Sequence, residues 1–212
     1  MSDPRIEQAA LSAARTVLDA IDARPATYLV GIAGIGGSGK STLCTALLRL
    51  RPEIMVVPMD GYHLPRAALD AAALARRGAI HTFDAAAFRR DIKALKRSHV
   101  GVFPSFDHAE QDPRPGAIHV GPDVPVVIVE GLYVLCRAWG LEPLFDLTLF
   151  VDCDPAAALE RVVARHLAAG LAATPEAAWR RAASNDRLNA EAILADGCRE
   201  RADLVVPSHR CV

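Results

Sequence analysis

Aromatic side chains are scarce here, at 5% of 212 residues, while alanine is abundant, so helices are expected to pack closely through small side chains. Charge of one sign is also missing: the formal net charge is -1. A nucleic-acid-binding surface normally needs a basic excess. None is expected, and any anionic ligand must be held by a local positive site. The five cysteines, Cys44, Cys136, Cys153, Cys198 and Cys211, are odd in number and form no C-x-x-C pair. That excludes a disulfide framework or a structural zinc site and predicts reduced thiols. No apolar run approaches the roughly 20 residues of a membrane span. The first ten residues, MSDPRIEQAA, lack a charged-then-apolar signal pattern. The expectation is a soluble, cytoplasmic protein, monomer or homodimer, with no membrane or nucleic-acid partner. No internal repeat, low-complexity tract or linker interrupts the chain, and a single domain over 1–212 is expected.

What the chain does contain is alternation. A helical period over Arg5–Ala23 precedes a short apolar run, Thr27 to Ala33, which is the length of a buried strand. A helix is predicted from Lys40 to Leu50, a strand over Glu53–Pro58, and helical stretches near Arg66–Arg77 and Asp84–Arg97. The stretch from Val100 to Gly121, rich in Pro, Gly, Asp and His, reads as an irregular surface excursion. Strands follow at Pro125–Val129, Asp146–Val151 and Asp203–Val206. Asp154-Pro155 and Thr174-Pro175 each combine a good N-cap with proline at the first helical position, opening two more helices, the second ending near Gly197. Continuous apolar strands alternating with helices predict an α/β fold in three layers: a five-stranded, mainly parallel sheet with helices on both faces. Ligands in such sheets sit beyond the carboxyl ends of the strands. Three of those ends carry conspicuous residues: a glycine loop, Asp60 and Glu130.

The loop Gly34-Ile35-Gly36-Gly37-Ser38-Gly39-Lys40-Ser41, followed by Thr42, fits G-x-x-x-x-G-K-[ST] at every fixed position. Its glycines let successive N–H groups turn inward onto phosphate oxygens, and the next helix adds the positive potential of its N-terminus. Lys40 can reach the β- and γ-phosphates, and Ser41 can offer a hydroxyl to Mg²⁺. ATP and Mg²⁺ are the implied cofactors. A nicotinamide-type G-x-G-x-x-G reading is weaker, because its third glycine, Gly39, runs directly into Lys-Ser.

Nucleotide chemistry needs a carboxylate for the metal and a group that orients the nucleophile. Glu130 ends the run PVVIV, where an unpaired acid would be costly unless it faced the ligand crevice. Asp60 ends EIMVVP by the same logic. One can order Mg²⁺ and the other accept a proton from an acceptor hydroxyl, and the residues alone leave the two assignments interchangeable. Arginines are expected where charge builds on phosphoryl oxygens. Arg161 and Arg165 lie four apart on one helix face beside His166, as a lid over the phosphates or a solvated face. Arg180, Arg181 and Arg187 are equally ambiguous. Tyr62-His63 and Phe106-Asp107-His108 offer rings and hydrogen-bonding groups suited to a polar hydroxylated ligand.

The segments GIAGIGGSGKSTL, VVPMDGYHL, RRGAIHTFDAAAF and VIVEGLYVL together resemble the uridine kinase, phosphoribulokinase and bacterial pantothenate kinase branch of P-loop kinases. FPSFDHAEQDPRPGAIHV, ERVVARHLAAG and SNDRLNAEAI are similar to bacterial proteins provisionally labelled nucleoside/nucleotide kinase-like or fructose transport system kinases. The resemblance covers Tyr28 to Val206. It implies a 28–50 phosphate-loop unit, a 98–121 acceptor-side excursion and a 155–196 helical lid. It further implies Asp60 as catalytic base, Glu130 as metal-ordering acid and Arg165 in the lid. Tyr62, His63, Phe106, Asp107 and His108 fall in segments that contact the acceptor in relatives. Uridine kinases carry a Phe where Tyr62 stands and usually a Tyr where His63 stands, which argues against uridine or cytidine as acceptor. The expected activity is γ-phosphoryl transfer from ATP to a hydroxyl of a small metabolite, a nucleoside, sugar or pantothenate-like compound. The competing expectations are an acceptor-independent ATPase and a nucleotide-sensing regulatory protein.

Overall fold

A computed structural model describes residues 4–107 and 109–208. Helix α1 (Pro4–Asp22) leads to strand β1 (Leu29–Ala33), the glycine loop and α2 (Lys40–Leu50). Strand β2 (Met55–Pro58) ends in a single 3-10 turn, Met59–Tyr62. Then come α3 (Ala71–Ala75), α4 (Ala85–Ser98), β3 (Gly101–Asp107), β4 (Asp112–Val120) and β5 (Val127–Glu130). The chain closes with β6 (Leu147–Asp152), α5 (Pro155–Ala168), α6 (Pro175–Ser184), α7 (Asp186–Ala195), α8 (Cys198–Arg201) and β7 (Leu204–Pro207).

Five strands form one sheet in the order β2-β5-β1-β6-β7, with every pair parallel. Strand β1 is central and buried at all five positions, which is why it reads as an unbroken apolar run. Its pleat divides the core. Leu29 and Ala33 face one layer with Phe88, Ile92 and Leu95 of α4 and Ile193 of α7. Val30 and Ile32 face the other, with Ala14 and Val17 of α1 and Leu43 and Leu47 of α2. Four described cysteines, Cys44, Cys136, Cys153 and Cys198, are free and buried; Cys211 lies outside the described residues.

Three local expectations need correction. The stretch 100–121 is an ordered antiparallel hairpin, β3 with β4, whose register shifts between Phe103 and Ser105 around Pro104. Pro104, Pro113 and Pro115 hide these strands in the sequence, yet a two-stranded ribbon tolerates proline because each strand has an unpaired edge. The stretch 66–77 holds only a 3-10 turn and one turn of α3, capped by the Asp70 carboxylate on the Ala73 N–H. The helix expected from Thr174 to Gly197 is two helices, broken at Asn185, whose side-chain amide donates to the Arg77 carbonyl at 2.7 Å.

Candidate active site

The parallel strands deliver β1, β2 and β5 to one edge of the sheet, and a cavity of about 300 Å³ opens there. Its walls include Gly36, Gly37, Gly39, Lys40, Ser41 and Thr42 from the loop, Asp60, Glu130 and, from α5 and α7, Arg161, Arg165 and Asp186. Register explains the meeting of the two acids. Pro58 pairs with Glu130, so Asp60 starts the next turn beside the end of β5. The glycine after each acid makes that approach sterically feasible. A Cβ on Gly131 would lie 2.3 Å from Met59 Cβ, and one on Gly61 would lie 2.2 Å from the Pro104 carbonyl oxygen. A side chain at Gly131 would push β5 off the Asp60 turn, and one at Gly61 would push the hairpin off that turn.

Lys40 opens α2 with its ammonium folded back onto the Gly34 and Ile35 carbonyls, at 2.8 and 3.1 Å. Burial depresses its pKa, while Glu130 and Asp60 act in the opposite direction. Burial lifts the Glu130 carboxyl to about 7, against the pull of Lys40 and with a further push from Asp60. Ser38 Oγ is buried in the loop without a hydrogen-bond partner. The cavity therefore concentrates one buried cation, the hydroxyl-bearing Ser41 and Thr42 and two neighbouring acids, a donor set suited to a phosphate chain and a divalent ion.

The basic residues separate. Arg161 donates from Nη1 to the Gly37 carbonyl at 2.9 Å and to Ser208 Oγ at 3.2 Å, so it fastens the glycine loop to α5 and the end of β7. Arg165, one turn on, is exposed and lines the cavity. Arg187 instead pairs with Glu191 on the surface at 3.1 Å.

The acceptor candidates also divide. Tyr62 is 5% exposed, in the core against Phe88, and its hydroxyl donates to Asp91 at 2.9 Å. His63 packs between Phe83 and Phe106 in tilted ring contacts, at centroid distances of 4.0 and 4.8 Å. Its Nδ1 lies 2.9 Å from the Asp60 carbonyl, which can only accept, so Nδ1 carries the proton. Burial lowers the His63 pKa and favours the neutral ring. Phe106 lies beneath the Arg77 guanidinium, 5.9 Å from its centroid, and Arg77 in turn grips Asp112 at 3.0 Å. Asp107 accepts from the Ala109 and Glu110 N–H groups and pairs with Arg114, inside the hairpin turn. None of Tyr62, His63, Phe106 or Asp107 is among the lining residues of the cavity; His108 lies outside the described residues.

Sequence reasoning missed Asp186 as a wall of the cavity and Arg161 as a loop fastener. The polar run Ser184 to Asn189 marks a helix break, but nothing in one dimension shows that it returns to the glycine loop.

Fold and cavity together define a P-loop phosphotransferase, with the phosphate loop and two carboxylates at adjoining strand ends. The chain belongs to the Phosphoribulokinase / Uridine kinase family, whose model matches residues 29–211. It is 38% identical over 177 residues to the Schizosaccharomyces pombe protein "Putative uridine kinase C227.14", covering 76% of this chain and 75% of that one. An Escherichia coli protein, YggC, is 33% identical over 180 residues, 80% of this chain and 73% of its own length. The crystal structure of a "putative fructose transport system kinase" from Silicibacter sp. TM1040 superposes with a TM-score of 0.80 at 38% identity, covering 93% of this chain and 98% of that one. Kinase-family relatives imply ATP as the phosphoryl donor. Among the described residues no helix is long and apolar enough to cross a membrane.

Proposed function

We propose that this chain is a Mg²⁺-dependent kinase, a single domain over 1–212, that transfers the γ-phosphoryl group of ATP to a hydroxyl of a small metabolite. The observation that carries the reading is the convergence of Lys40, Asp60 and Glu130 on one cavity at the carboxyl edge of the sheet. In this reading Gly34, Gly36, Gly37, Ser38 and Gly39 turn backbone N–H groups onto the phosphates, with Lys40 as their fixed cation and Thr42 at the wall. Ser41 and Glu130 hold Mg²⁺, which when bound offsets charge on the phosphate oxygens. A bound cation also favours the ionised form of Glu130, which burial alone disfavours. Asp60 takes the proton from the acceptor hydroxyl as the new P–O bond forms and the bond to ADP breaks. Arg165 supplies positive charge from α5. The hairpin, with Phe106 against His63, forms the acceptor side next to Asp60. Tyr62 acts there through the core, by supporting the turn that carries Asp60.

The test is an ADP-release screen of the purified protein against hydroxylated metabolites, run with Asp60→Asn in parallel. A kinase shows acceptor-dependent ADP formation with wild type, while Asp60→Asn binds ATP and transfers nothing. ADP formation indifferent to every acceptor would replace this reading with a plain ATPase.

A further inference from the structure

Asp186 has no part in the function proposed above, yet it stands in the wall of the same cavity. It opens α7 directly across from the glycine loop: a Cβ on Gly36 would lie 4.0 Å from Asp186 Oδ1. A carboxylate so placed repels incoming phosphates unless cations offset it. Two arginines do so: Arg165 on α5 and Arg181 on α6 both favour its charged form, although burial raises its pKa. Its second oxygen lies 3.6 Å from Nε2 of His166, a side chain only 6% exposed and the immediate neighbour of Arg165 in α5.

Hydrogen bonding at this junction is incomplete in a patterned way. Asp186 Oδ2, Arg181 Nε and Asn185 Oδ1 are all buried without a hydrogen-bond partner. Native interiors rarely leave such groups unmade. They lie where α5, α6 and α7 meet at the rim of the ligand cavity, so the charge of Asp186 is balanced by neighbouring charges rather than by close hydrogen bonds.

We propose that Asp186 is a positioning residue for Arg165. Set beside His166, its carboxylate supplies the counter-charge that keeps the Arg165 guanidinium over the phosphate loop until the terminal phosphate of the nucleotide takes over that role. The inference rests on the phosphate role of Arg165 proposed above. It differs from simple charge repulsion in sign: repulsion alone predicts that neutralising Asp186 tightens nucleotide binding, whereas positioning predicts that the protein loses its preference for the triphosphate.

The experiment is a double-mutant cycle read by binding of fluorescent mant-ATP and mant-ADP with Mg²⁺, which needs no known acceptor. Wild type, Arg165→Ala, Asp186→Asn and the double variant are compared by the ratio of the two dissociation constants. Arg165→Ala is expected to reduce the triphosphate preference by about 3–10-fold, Asp186→Asn by a similar factor, and the double variant by no more than Arg165→Ala alone. Additive losses, or equal tightening by Asp186→Asn with Arg165 present or absent, would overturn the positioning role. An unchanged preference in Arg165→Ala would instead overturn the phosphate role of Arg165, and with it this inference. His166→Asn removes the imidazole packed against the carboxylate and must reproduce the Asp186→Asn loss; this second arm serves if Asp186→Asn fails to fold, which circular dichroism reports.

Discussion

Glu130→Gln is expected to stabilise the ligand-free protein while abolishing phosphoryl transfer. The Glu130 carboxyl has an ordinary value of 4.5 and is lifted to about 7 in the folded chain, chiefly by burial. Between those values the folded state holds a proton that the unfolded state has released, so the stability of wild type falls as pH rises through that window. At 1.36 kcal/mol per pKa unit the full loss is about 3 kcal/mol, of which about 2–3 kcal/mol develops between pH 5 and pH 8. Glutamine keeps the shape and never ionises. Other titrating groups contribute to both proteins and largely cancel in the difference. The measurement is thermal unfolding of both proteins from pH 5 to pH 8 without nucleotide. The variant is expected to gain about 5–10 °C over wild type across that range, since 1 kcal/mol shifts a chain of this size by about 2–4 °C. A difference in Tm that does not change with pH would refute the argument that burial of this carboxyl is costly. The same variant should lose activity, because the residue destabilising the empty site is the one proposed to hold the metal.

Asp60→Asn is expected to lower kcat by at least about 100-fold, the low end of general-base contributions, with the Kd for ATP within about twofold of wild type by titration calorimetry. Gly61→Ala drives a Cβ to 2.2 Å from the Pro104 carbonyl; it should cost about 1–3 kcal/mol or more, seen as a lower urea midpoint, because backbone cannot move aside as a side-chain end can. Tyr62→Phe removes the hydroxyl that Asp91 accepts from at 2.9 Å, so stability should fall by about 1 kcal/mol in the same assay while acceptor KM stays within about twofold. A large rise in acceptor KM would place Tyr62 in the acceptor pocket after all.

Much of this site is legible in one dimension because its parts are local. The phosphate loop, the strand before it and the helix after it are consecutive in the chain, so spacing and residue type suffice. Asp60 and Glu130 stand out because an acid ending a buried apolar strand needs a reason to be there. The same strands report a parallel sheet, since only strands covered on both faces can be apolar throughout. Three prolines give the hairpin the sequence pattern of a loop, and α6 and α7 share one continuous helical pattern because Asn185 breaks them for a distant partner, the carbonyl of Arg77. The division of roles is likewise a property of packing. Arg161 and Arg165 share one helix face and both line the cavity, yet one is spent on the Gly37 carbonyl and the other stands exposed. Tyr62 and His63 are neighbours in sequence, yet a 3-10 turn sends one into the core and sets the other against Phe106. Sequence alone determined the chemistry of phosphate binding, because that chemistry belongs to a contiguous loop. Tertiary structure alone decided which acids and cations meet it, because those contacts join residues tens to more than a hundred positions apart.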